Sequence, residues 1–555
     1  MDGMTRTRAV RLPRLLAMLL AWPLGVWAAG DGYGELLELF EEWRDFEKPP
    51  SLNGAPDYTA TRFERRLSGL QALQERLHAI EPGAWPINEQ VDWHLLRAEM
   101  NGMLFHIRVL QPWVRDPAFY TSVWTFESDT PAHEGPNHHA LVELWTYSFP
   151  LTSTDESRLA SELGTIPPLL EQARANLTGN ARELWEGGIS RIDGQARSLE
   201  DLAERVAGTG TELQTAVFEA LEATRSFAEW LRSEAASKTG PSGIGKAFYT
   251  WHLRNVHLVP LTWEEEVSLL KRELDRAHAV LRLEEHRNAD LPPLRPIASA
   301  EEYAERAEQA VQEFVSFLGD KSVLPAYDYI EAALRAQMGE FVPPESRNFF
   351  ATVAHHEPLA LWTHWYHWFD LARIKTAPHA SPVRRGALLY NIFDSRSEGM
   401  ATGFEEMAMH AGLFDENPRA RELVYIMLAQ RAARGLGSLR AHANTFTLKQ
   451  ARDFHVAWTP RGWMREDLDL LGFEQLLYLR QPGYGTSYVT GKYLIERLLA
   501  ERARQLGDDF ELAEFFREVD AAGVIPVSLL RWELTGQDDE IKALMAPDSR
   551  AWPAP

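Results

Sequence analysis

The chain has no cysteine among its 555 residues. That excludes disulfides, cysteine-type zinc sites, iron–sulfur clusters, thiol nucleophiles and lipid attached through a cysteine. Positive charge is also short: 57 Lys and Arg stand against 80 Asp and Glu, a formal charge of −23. No basic run is long enough to neutralise a series of phosphates, which argues against nucleic acid as the main partner. Alternating β-branched runs are nearly absent, so strand signals are weak. Beyond residue 29 no apolar run reaches the roughly 20 residues of a membrane-spanning helix. Internal repeats and low-complexity tracts are missing as well.

What is present is a large apolar complement. Hydrophobic residues make up 45% of the chain and aromatics 11%, with 19 Trp, which is the composition of a globular protein with a sizeable core. At the N-terminus, Arg6, Arg8, Arg11 and Arg14 precede the apolar stretch Leu15 to Trp27, and Val26-Trp27-Ala28 then Ala29 offers small residues for cleavage. Residues 1–29 therefore read as a secretory signal peptide. The alternative is an uncleaved anchor, but the run is short for a span and Pro23 interrupts it. The segment holds four Arg and one Asp, so its removal takes the charge from −23 to −26. The expectation is an exported, disulfide-free helical protein of the bacterial periplasm, with no stable membrane anchor after cleavage.

The remainder reads as all-α. Thr262-Trp263-Glu264-Glu265 is a capping box, and Val267, Leu270, Leu274, Ala277 and Leu281 follow at helical spacing. Residues 199–237 repeat the pattern with a break at Gly208-Thr209-Gly210. Asn417-Pro418 opens a long helix running toward Asn444, and Ile495 to Leu506 belongs to another that Gly507 stops. The Gly-, Ser- and Lys-rich stretch from Ser237 to Gly245 is the expected divide between an N-terminal lobe, 30–237, and a C-terminal lobe, 238–555.

Two motif matches weigh little. Gly240 to Lys246 fits the start of a phosphate-binding loop, but Ala247 replaces the Mg²⁺-binding hydroxyl and no hydrophobic strand precedes it. His133-Glu134-Gly135-Pro136-Asn137-His138-His139 holds a carboxylate and three imidazoles, yet its i, i+5, i+6 spacing and its prolines make it a loop, and a surface loop or lid is the plainer reading.

The informative region is 347–410. Pro358 suits a helical first turn, and Leu359 to Lys375 contains no breaker, which predicts one continuous helix. His364 and His367 stand at i, i+3 on it, about 60° apart, close enough to share a metal ion. Trp362, Trp365, Tyr366, Trp368 and Phe369 surround them. The plainer alternative is an aromatic core helix with satisfied histidines. On the next helix Glu398 and Glu405 are seven apart and share a face among small apolar residues. Carboxylates facing inward there need a metal, an arginine or a proton; the alternative is a solvated acidic face. Two His and a Glu from a later helix are the ligand types of a zinc-hydrolase site with a position open for water. Arg431, Arg434 and His442 share a face of the following helix, placed to pair with Glu398 and Glu405 or to bind a substrate carboxylate. Gln481-Pro482-Gly483-Tyr484-Gly485-Thr486-Ser487-Tyr488 is a glycine-rich helix entry whose N–H groups and phenols suit an oxyanion.

These blocks resemble a known family. Ser242 to Tyr249, Glu398 to Glu405, Arg431 to His442, Gln481 to Tyr488, and Gly507-Asp-Asp-Phe through Ile525-Pro526 to Leu529 are similar in order and spacing to the bacterial family called domain of unknown function 885, whose members resemble zinc metallopeptidases. The match is good over roughly 240–540 and loose before it. The resemblance implies an all-α metallopeptidase-like fold with Glu398 as third metal ligand and Arg431, His442 and Tyr488 as site residues. The family hallmark, His-Glu followed by Pro-Gly-His-His, is replaced here by His364-Trp-Tyr-His367-Trp-Phe-Asp370. His356-Glu357 lies eight residues before His364 and is not that motif. No glutamate follows His364, so the usual general base is absent.

Two functions follow. The first is an exported metallohydrolase acting on a peptide or related amide. Zn²⁺ would be held by His364, His367 and Glu398, Glu357 or Glu405 would take the proton, and His442, Tyr484 or Tyr488 would stabilise the oxyanion. The second is a non-catalytic periplasmic protein that binds a peptide or small ligand on a degenerate peptidase fold, its Trp-rich wall forming the pocket.

Overall fold

The structure, a computed structural model, describes residues 32–128, 142–386 and 388–554. The expected signal peptide, 1–29, and the loop His133–His139 lie outside the described residues. Regular structure is overwhelmingly helical, from Tyr33–Phe46 to Pro547–Arg550. Strand is limited among the described residues to two pairs of two-residue pieces, Ser51–Leu52 with Ala55–Pro56 antiparallel and Val123–Trp124 with Val142–Glu143 parallel. The all-α expectation holds. No helix among the described residues is long and apolar enough to cross a membrane.

Local sequence signals explain most helix ends. The Thr262 side chain accepts from the Glu265 N–H while the Glu265 carboxylate accepts from the Thr262 N–H, closing the capping box of Trp263–Arg287. Leu270, Leu274, Ala277 and Leu281 of its stripe are buried. Arg182–Arg205 and Thr211–Glu234 form a helical pair divided at the Gly208–Gly210 turn. Gly507 ends Tyr484–Leu506 at φ 57°, a conformation that costs a side-chain-bearing residue more than glycine.

The stretch 238–245 is bonded to both halves of the chain. Asn180 Oδ1 accepts from the N–H groups of Thr239 and Gly240, both at 2.7 Å, and Gly245 N–H donates to His442 O at 2.8 Å. One contiguous apolar core runs from Tyr33 to Leu544. The phosphate-loop match dissolves for the same reason. Several of its N–H groups have protein acceptors, and Lys246 pairs with Glu264 at 3.4 Å and lies 3.9 Å from the Trp263 ring.

Three helices occupy the centre: Asp394–His410, here the glutamate helix; Ala420–His442, the arginine helix; and Tyr484–Leu506, the tyrosine helix. All residues of the arginine helix except Arg421 and Arg440 are buried, and all of the glutamate helix except Met407 and His410. A helix buried on every side has no polar face, so its charged residues must find partners inside. The glutamate and tyrosine helices meet through Gly399 and Gly491. A Cβ added to Gly399 would overlap the Gly491 backbone, and one on Gly491 would overlap Ser395 O. Gly491→Ala should therefore force the pair apart and lower stability by about 3 kcal/mol, measured by urea denaturation.

A second prediction concerns pH. Glu266 is fully buried and accepts from Thr490 Oγ1 at 2.8 Å and Tyr249 Oη at 3.0 Å. Burial pushes its carboxyl from the ordinary 4.5 up to about 7, against partial relief from these hydroxyls. Between those values the folded state holds a proton that the unfolded chain has released, so this group's contribution to stability falls as pH rises through the window 4.5–7. Glu266→Gln should gain on the wild type across that window, by up to roughly 3 kcal/mol above pH 7, read from denaturation midpoints at stepped pH.

Candidate metal centre

The expected unbroken helix Leu359–Lys375 is three pieces. Pro358–Trp362 is helical, Thr363–Trp365 is a 3₁₀ turn, and Tyr366–Thr376 resumes the α-helix. Pro358 takes the first position with Glu357 as the cap. Thr363 Oγ1 donates to Ala360 O at 3.0 Å, and the Trp362 and Trp365 rings stack at 4.8 Å, which favour the tighter winding. In 3₁₀ geometry residues i and i+3 eclipse, so the interruption brings His364 and His367 closer in direction than a regular helix would. Their ring centroids are 5.0 Å apart at 87°.

Glu398 reaches this pair from the glutamate helix. One nitrogen or oxygen from each of His364, His367 and Glu398 lies within 4.8 Å of the others, and all three residues are buried. His364 Nε2 is 3.5 Å from Glu398 Oε2. Ligand atoms at about 2.1 Å from a tetrahedral zinc ion stand about 3.4 Å apart, so this edge fits such an ion.

The surrounding groups fix the ligands. His364 Nδ1 lies 2.9 Å from Glu405 Oε1. Arg431 grips Glu405 with both terminal nitrogens, Nη1 to Oε2 at 2.8 Å and Nη2 to Oε1 at 2.7 Å. Arginine, carboxylate and imidazole thus lie in a row, with the other ring nitrogen, Nε2, on the side of Glu398. Tyr484 Oη donates to Glu398 Oε1 at 2.8 Å. The Tyr488 ring stacks on His364 at 5.9 Å and 14°, and the Arg434 guanidinium lies 3.9 Å from the Tyr488 ring while donating to Glu474 at 2.5 Å. Burial raises the Glu398 carboxyl, but the His364 hydrogen bond, the charges of both imidazoles and the Tyr484 hydroxyl outweigh it and hold it down to about 2.

Two expected site residues stand elsewhere. Glu357, one of two expected proton acceptors, caps Leu359 N–H and binds Arg306 at 2.6 Å and Asn417 Nδ2 at 3.0 Å. His442 contacts Tyr478 O through Nε2 at 2.9 Å and packs 5.3 Å from the Tyr249 ring, near the C-terminal end of the arginine helix. Burial lowers that imidazole to about 4, with the Tyr478 bond opposing. Glu405 is beside His364, but both its oxygens are engaged by Arg431.

One residue was overlooked in the sequence. Asp394 lies one helical turn before Glu398, is fully buried, and neither carboxyl oxygen has a hydrogen-bond partner among the described residues. Burial and the Glu398 charge push it well above the usual carboxylate range. The i, i+4 spacing to Glu398 was the available signal, hidden because Asp394 also reads as an ordinary helix-start acid.

The chain belongs to the family described as "Bacterial protein of unknown function (DUF885)", whose model matches residues 52–348 and 367–534. The unmatched stretch between them contains Glu357 and His364. No curated protein matches the chain. Among solved structures it is similar to "a putative lipoprotein of unknown function from Shewanella oneidensis", at 16% identity and TM-score 0.64, covering 90% of this chain and 97% of that one. It is also similar to "the putative lipoprotein from Colwellia psychrerythraea", at 15% identity and TM-score 0.58, covering 91% and 97%. At these identities the likeness shows the fold.

Removing one partner of a fully buried ion pair leaves the other charge uncompensated, which costs about 3–5 kcal/mol. Glu405→Gln should lose that much stability in urea denaturation. Glu357→Gln, whose partner Arg306 keeps 23% of its side chain exposed, should lose clearly less.

Proposed function

We propose that this protein is an exported, metal-dependent hydrolase of peptides or related amides, with a divalent ion, Zn²⁺ by ligand type, held by His364, His367 and Glu398. The observation behind the reading is the buried convergence of two imidazoles and a carboxylate with a 3.5 Å ligand edge. Charge supports it. Glu405 is matched by Arg431 and Glu474 by Arg434, and among the described residues no arginine or lysine stands within ion-pair distance of Glu398 or Asp394. An ionised Glu398 beside two imidazoles, with the Asp394 carboxyl one turn away, is a donor set that suits a dication. The Arg-rich, apolar N-terminal segment supports export to the periplasm.

A bound divalent ion supplies Lewis acidity and makes water acidic enough to attack near neutral pH. The chain's own residues set the rest. Glu405, held by Arg431, lies beside His364 Nδ1 while Nε2 faces Glu398. Tyr484 steadies Glu398, and Tyr488, stacked on His364, faces the same cluster. Of His364 and Glu398, His364 keeps more of its side chain exposed, 11% against 1%.

A second reading, a ligand-binding protein without turnover, is favoured by the state of the expected bases. Glu357 is tied to Arg306 and Glu405 to Arg431. The hydrolase reading places a metal at the cluster, the second needs none, and activity separates them.

Protein purified without chelator should contain about one divalent ion per chain by elemental analysis, and His367→Ala and Glu398→Gln should lose it. Turnover of a peptide library that stops with chelator and with Glu398→Gln selects the hydrolase; metal binding without turnover selects the second reading. A folded wild type that takes up no ion overturns the hydrolase reading.

A further inference from the structure

The two histidines sit on different winding, and the structure anchors them differently. His364 is directed by Glu405 and Arg431. Three residues beyond His367, on the same helix, stands Asp370, with 1% of its side chain exposed. Arg396, on the glutamate helix two residues before Glu398, reaches across with 0% exposed. Its Nη1 donates to Asp370 Oδ2 at 3.0 Å and its Nη2 to Asp370 Oδ1 at 3.2 Å. Arg373 adds a third donor to Asp370 Oδ1 at 2.9 Å and ties the group to Asp520 O at 2.7 Å. Tyr366 Oη donates to Asp520 Oδ1 at 2.8 Å, and Arg396 Nη2 lies 3.6 Å from that same oxygen.

A bidentate arginine–carboxylate pair fixes distance and plane together. Asp370 is about 60° from His367 around its helix, and Arg396 is about 160° from Glu398 around its own. Locking Asp370 to Arg396 therefore sets both the separation and the rotation of the two helices that bring His367 and Glu398 together. A few degrees of rotation would move the ligand atoms out of the range a metal tolerates.

We infer that Asp370 and Arg396 are positioning residues for the metal centre: their buried pair holds His367 at bonding distance from the ion that Glu398 shares. This rests on the proposed metal site. It assigns the pair a role beyond stability, which an equivalent pair elsewhere lacks. Arg531 and Glu501 supply the comparison, joined by two bonds of 2.7 and 3.2 Å and largely buried. Glu501 is 13 residues past Tyr488 on one helix, about 20 Å away along its axis.

The test is Co²⁺ affinity and the visible spectrum of bound Co²⁺, measured on folded protein at 20 °C for the wild type, Asp370→Asn, Asp370→Glu, Arg396→Gln and Glu501→Gln. Asp370→Asn and Arg396→Gln should weaken binding about 10–100-fold and shift the ligand-field bands. Asp370→Glu, which keeps the charge but moves it by one methylene, should fall between them and the wild type. Glu501→Gln should lower the melting temperature and leave affinity and spectrum unchanged. Wild-type affinity and spectrum in folded Asp370→Asn would overturn the inference; so would wild-type values in Asp370→Glu, should Asp370→Asn fail to fold. A loss in Glu501→Gln equal to that in Asp370→Asn would also overturn it, by making the effect one of general stability. A wild type that binds no Co²⁺ counts against the metal site itself.

Discussion

Burying a charge costs several kcal/mol unless a partner or a proton offsets it, and the glutamate helix is charged and buried on every side. Asp394, Arg396, Glu398, Glu405 and Glu406 all lie inside. The surrounding elements can be read as answers to that constraint. Arg396 is met by Asp370, Glu405 by Arg431 and His364, and Glu406 by Arg276 and Lys492. Glu398 is met by Tyr484 and His364, neither of which is a fixed cation. Among the described residues no arginine or lysine stands within ion-pair distance of Glu398, the carboxylate that joins the two histidines.

The same constraint gives the site its rigidity. Each ligand-bearing element is tied to the glutamate helix by polar contacts of its own. These are the Arg431–Glu405–His364 chain, the Tyr484 bond and the Arg396–Asp370 pair. Glycines at 399 and 491 let the tyrosine helix approach closely enough for Tyr484 to reach Glu398. Buried ion pairs contribute little net stability in general, because desolvation offsets the attraction. Their effect here is geometric: they choose one arrangement of helices among many that would bury the apolar residues equally well.

Much of the helical layout was legible in the residues. The capping box at Thr262, the Gly208–Gly210 break and the Gly507 stop are local signals, set by hydrogen bonds within one turn, and the structure follows them. The 3₁₀ turn at Thr363–Trp365 was not legible. Nothing between Leu359 and Lys375 forbids an α-helix, and the tighter winding comes from Trp362 and Trp365 stacking inside a packed environment. The spacing of His364 with His367 and of Glu398 with Glu405 was visible as shared faces. Spacing could not say which glutamate would meet a histidine ring nitrogen and an arginine, nor that Glu357 would turn toward Arg306 and His442 toward Tyr478.

The sequence by itself determined the class of the protein and the chemistry open to it. Without cysteine, any metal must rest on imidazole and carboxylate. With apolar residues at helical spacing and hardly any strand pattern, the chain must build a helical core. These follow from composition and from periods of a few residues, which no distant contact alters. The tertiary structure decided which of the candidate acids and imidazoles converge, because that depends on helices far apart in sequence and on their rotation about their own axes. Interior pairings such as Arg396 with Asp370 select that rotation, and no local pattern records them.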